Sequence, residues 1–65
     1  MANPPMTAYQ AEELGYTEGD SAGFAGDGYD AYNDQVPPEF DENYRQGYRQ
    51  GYAQGQASYR RTVDG

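Results

Sequence analysis

A chain of 65 residues with eleven acidic and four basic side chains, net charge −7, can form one small domain, and a chain this short buries only about 60% of its unfolded surface, which leaves little room for a substrate cleft. It has no Cys, His, Trp or Lys. Disulfides, thiolate metal sites, the commonest general base and Schiff-base chemistry are thereby excluded, which argues against an enzyme and against a resident metal or cofactor.

The apolar inventory is mostly Ala and Tyr, with Leu14, Phe24, Val36, Phe40, Val63 and two Met as the conventional core residues. Nine Gly and the acidic excess pull toward disorder, whereas eight Tyr pull toward a packed state. The balance predicts a chain that is marginally stable alone and ordered in company.

Residues 1–7, MANPPMT, are expected to form an extended arm, since the Pro pair disfavours helix. The start lacks the basic and apolar regions of a signal peptide, and no apolar run approaches the roughly 20 residues that span a bilayer. The expected setting is cytoplasmic, or a virion if the chain is phage-derived, with no membrane contact.

Thr7 and Gln10 have the spacing of a capping box, which predicts a first helix over residues 8–25. On a helical wheel Ala11, Leu14, Gly15, Ala22, Ala25 and Tyr29 fall within roughly 100° of one another, a narrow stripe of mostly small residues. Each glycine in this stretch costs up to about 1 kcal/mol against Ala, so the helix should stop near Gly26.

Residues 26–37, GDGYDAYNDQVP, read as an acidic Gly/Asp loop. Pro38 then suits the first turn of a second helix over residues 38–62, with Glu39, Asp41 and Glu42 at its positive end and Arg60 and Arg61 near its negative end. Phe40, Tyr44, Tyr48, Tyr52, Tyr59 and Val63 cover an arc of roughly 140°, and Gly47, Gly51 and Gly55 lie along and beside it. Glycines every four residues permit close approach of another helix backbone, while the rings cover the flanks.

GYTEGDSAG at 15–23 and GYRQGYAQG at 47–55 share Gly, Tyr, Gly and Gly at the same offsets. The fold expected is therefore all-α, a short αα-hairpin whose two glycine-bearing faces meet. Residues 1–43 hold ten acidic groups and no basic one, while residues 44–65 hold four Arg and only Asp64. Attraction between these halves favours antiparallel packing, although exposed pairs contribute at most about 1 kcal/mol each.

No catalytic constellation emerges. The glycines follow no strand and so form no phosphate loop. Asp27, Asp30 and Asp34 lack the glycine and closing glutamate of a calcium loop. Glu12 with Glu13, and Asp41 with Glu42, read as solvated helix residues. Arg and Tyr interleaved on the second helix could stack on single-stranded nucleic acid, but the acidic excess repels a polyanion and disfavours direct binding.

The order of GY-x-x-G, a Pro-led segment and GY-x-x-G over Gly15 to Gly55 resembles the small two-helix proteins typified by ribosome modulation factor. That resemblance implies two glycine-and-aromatic helices joined by a Pro-containing loop, and a ribosome-associated role. The family is basic and carries Trp where this chain has Tyr48. The chain also resembles in style the small acidic GY-repeat proteins of bacteriophages infecting actinobacteria, which implies an accessory protein acting through protein contacts.

The expected function is thus a non-enzymatic interaction or structural accessory subunit that docks a protein partner, a larger assembly such as a phage particle, or further copies of itself. The expected partner-binding residues are Phe40, Tyr44, Gly47, Tyr48, Gly51, Tyr52, Gly55 and Tyr59, since Tyr anchors are common at interfaces. The alternative is an acidic nucleic-acid mimic that occupies a basic site on a host protein.

Overall fold

The computed structural model describes residues 6–64; most of the expected N-terminal arm lies outside them. Helix α1 spans Ala8–Ala25 and opens on the capping box. The Thr7 hydroxyl accepts from the Gln10 amide at 3.1 Å, and the Gln10 side-chain oxygen accepts from the Thr7 amide at 2.9 Å. Both amides would otherwise lack a partner in the helix. The helix ends where Gly26 takes a left-handed φ of 78° and the Asp27 amide turns back to the Ala22 carbonyl at 3.0 Å. Glycine reaches that conformation without the Cβ penalty of other residues.

A 3-10 turn, Pro38–Phe40, leads into helix α2, Asp41–Asp64. Asp41 and Glu42 lie in the first turn of α2 and Arg61 in its last, signs that complement the helix dipole. The described residues contain no strand. The chain is all-α, a helical hairpin in which two helices joined by a loop meet through their glycine-bearing faces.

The direction of packing differs from expectation. Gly15 lies against Tyr44, Gly19 against Tyr48 and Gly23 against Tyr52, so the numbering rises together and the helices run parallel. Antiparallel packing, expected from the charge halves, is corrected. An α-helix the length of α1 is about 27 Å long, and a loop of the length of residues 26–37 reaches roughly 40 Å when extended. The chain can therefore return along the whole of α1 before α2 starts. Exposed charge pairs are too weak to oppose a backbone seam.

The seam has internal symmetry. Gly15, Gly19 and Gly23 correspond to Gly47, Gly51 and Gly55 at a constant offset of 32 residues, and the same offset relates the backbone each glycine touches. The echo in the sequence is thus a structural repeat about an approximate two-fold axis running along the helix pair. Ala11, Val36, Tyr44 and Tyr48 form the buried centre, with Met6, Leu14, Ala22, Ala31, Phe40 and Tyr52 packed around it.

Candidate protein-binding surface

The six seam glycines are required by contact. A Cβ at Gly15, Gly19 or Gly23 would fall on the carbonyl oxygen of Tyr44, Tyr48 or Tyr52, and one at Gly47, Gly51 or Gly55 on that of Glu12, Tyr16 or Asp20. The Cα–H in that direction is therefore aimed at a carbonyl, a weak hydrogen bond contributing about 0.5–1 kcal/mol. Glycine inside a helix costs about 1 kcal/mol against Ala, so seam contact and propensity roughly cancel. Net stabilisation has to come from the aromatic rings beside the seam.

Those rings form a ladder on α2. Tyr44, Tyr48 and Tyr52 follow at one-turn intervals with centroids 6.0 and 6.1 Å apart. The loop descends over them. Tyr52 donates its hydroxyl to the Asp27 carbonyl at 2.6 Å, and the Asp30 amide donates to the Tyr48 hydroxyl at 3.4 Å. Tyr29 meets Tyr48 and Tyr52 edge-on at 5.1 and 5.2 Å. Lower down, the Tyr44 hydroxyl donates to the Glu18 carboxylate, which also accepts from the Asn33 side chain at 3.1 Å. Burial, then the hydrogen bond to Glu18 and that carboxylate's charge, push the Tyr44 phenol well above its usual range.

The other flank of the helix pair carries no return loop. Glu18, which faces the loop, and Tyr9 are nine residues apart on α1, half a turn round the helix. Tyr9, Glu12, Glu13 and Tyr16 of α1, with Gly47 and Gln50 of α2, line a shallow groove of about 170 Å³. A wider depression of about 660 Å³ lies where Tyr29 of the loop meets Arg45 and Arg49 of α2. There Arg45 pairs with Asp41 at 3.1 Å.

The residues expected to bind a partner fall into three environments. Gly47, Gly51 and Gly55 are buried against α1, and Tyr44 and Tyr48 are 1% and 4% exposed beneath the loop. Phe40 and Tyr52 are half-buried at the edge of this core. Tyr59 is 50% exposed and packs edge-to-face on Phe24 at 6.1 Å. The outward aromatic side chains on α1 were not singled out from the sequence: Tyr9 is 73% exposed and Tyr16 42%. Their seven-residue spacing with Glu12 and Glu13 between them was the available signal.

Among the described residues no helix is long and apolar enough to cross a membrane. Comparison with protein-family models, curated proteins and solved structures finds no match.

Proposed function

We propose that this chain is a non-enzymatic protein-binding module, an accessory subunit that docks into a larger assembly through the flank of the helix pair opposite its return loop. The observation that carries the reading is the division of the tyrosines. Tyr44 and Tyr48 are spent inside the fold and hold the loop, whereas Tyr9 and Tyr16 stand exposed beside an acidic groove. A preformed scaffold with exposed Tyr anchors loses little side-chain entropy on docking. Of the residues expected at the partner interface, Gly47, Gly51, Gly55, Tyr44 and Tyr48 are buried in that scaffold.

The test is affinity capture of the tagged chain from its native lysate, beside a Tyr9→Ser/Tyr16→Ser variant whose fold is checked by circular dichroism. A protein retained by the parent chain and lost from the variant supports the proposal. Identical retained proteins, or none, overturn it. Mimicry of nucleic acid has one supporting observation, the exposure of Asp27, Asp30 and Asp34 along the loop. Capture lost on neutralising those three, with the tyrosine variant unaffected, would favour that second reading.

A further inference from the structure

We infer that the open flank is a groove for a non-helical, arginine- or lysine-bearing segment of the partner protein, seated as the chain's own loop is seated on the opposite flank. The inference rests on the protein-binding reading and names the surface and the chemistry of its partner.

The two-fold repeat carries the argument. The offset of 32 residues that superposes the glycine rows also maps Glu12, Tyr16 and Asp20 onto Tyr44, Tyr48 and Tyr52. The second set is occupied by a non-helical segment of the loop, with the Asp27 carbonyl on Tyr52 and the Asp30 amide on Tyr48. The first set has the same backbone frame and keeps the central tyrosine. The flanking rings are replaced by carboxylates. Gln50 likewise stands where Glu18 stands in the occupied groove.

The substitutions say what the open groove takes. On its α1 side the loop flank presents Leu14 and Ala22, packed on the core, and Glu18, whose carboxylate is taken up by Tyr44 and Asn33, and it accepts a segment of this acidic chain. The open flank offers Glu12 and Glu13, and the residues that line its groove include no basic side chain. A second copy carries net charge −7, and its four Arg lie within helix α2 rather than in a non-helical segment. A basic segment is attracted, since carboxylates form charge-assisted hydrogen bonds with guanidinium and ammonium groups and tyrosine faces hold cations. In the repeat Tyr16 is the counterpart of Tyr48, whose hydroxyl accepts from the Asp30 amide.

The experiment titrates the full chain with a fluorescein-labelled nonapeptide of alternating Arg and Ser, with an alternating Glu and Ser peptide as control. Binding is read by anisotropy and by amide shifts of the isotope-labelled protein. Expected are shifts at Tyr9, Tyr16, Gly47 and Gln50, and binding weakened at least about tenfold by Glu12→Gln/Glu13→Gln/Asp20→Asn. The loop triple Asp27→Asn/Asp30→Asn/Asp34→Asn removes the same charge and should weaken binding by less than about threefold, as long-range attraction is screened by salt. Equal weakening by both triples, shifts centred on the loop, or no binding to the parent chain would overturn the inference. A captured protein that remains bound to the groove triple overturns the groove while leaving the protein-binding reading intact. A peptide bound in the groove with no protein captured does the reverse.

Discussion

Gly51 rests its bare α-carbon on the carbonyl oxygen of Tyr16, and at the related position across the helix pair Gly19 rests on that of Tyr48. Two helix backbones in contact at this depth leave no space for a side chain. The consequences for substitution are asymmetric along the chain.

Gly51→Leu should abolish the cooperative thermal transition, a loss of more than about 3 kcal/mol, because the backbone of α1 at Tyr16 would have to leave the seam. Helicity of an isolated α2 peptide should rise with the same change, since Leu is the better helix former. Gly28 has nothing near its missing Cβ. Gly28→Ala should therefore shift stability by no more than about 1 kcal/mol. A cooperative transition retained in Gly51→Leu would rule out the seam.

Tyr48→Phe keeps the ring and removes the acceptor of the Asp30 amide. The expected cost is about 1 kcal/mol, with faster hydrogen exchange at Asp30. Tyr52→Phe should act similarly through the Asp27 carbonyl. Unchanged exchange at Asp30 in Tyr48→Phe would show that the hydroxyl does not hold the loop.

Alkali should destabilise the fold through Tyr44. Its folded pKa is raised above the unfolded value, so the native state binds the proton more tightly. The associated stability is fully present below about pH 10, the unfolded phenol value, and is lost as pH rises beyond it toward the folded pKa. Urea midpoints should fall above about pH 10 in the parent chain and less steeply in Tyr44→Phe. Parallel pH profiles for the two chains would refute the assignment.

Thr7→Ala removes the hydroxyl that accepts from Gln10 and should cost about 1 kcal/mol, read as a lower urea midpoint at unchanged slope. Gly26→Ala should cost a comparable amount, since φ of 78° strains any residue with a Cβ. An unchanged midpoint in both would mean that the ends of α1 do not contribute to global stability.

The elements legible in the sequence are those set by local chemistry. Thr7 with Gln10 marks a helix start whether or not a partner helix exists, Gly26 supplies its left-handed stop, and Pro38 with the carboxylates after it marks the entry to α2. The glycine and tyrosine spacing likewise identified two faces that meet. The use of Glu18 as an acceptor for Tyr44 was not legible, because it depends on loop and helix sharing one flank.

The sequence by itself determined the helices, the acidic loop and the small-residue faces, since each depends on residues within a few positions of one another. The tertiary structure alone decided that the helices run parallel and which flank stays open. A row of glycines every four residues is the same read in either direction, so spacing carries no sense of polarity. Polarity came from the path of residues 26–37, anchored by Tyr29 between Tyr48 and Tyr52. That path covers one flank with the chain's own backbone and leaves Tyr9 and Tyr16 exposed on the other.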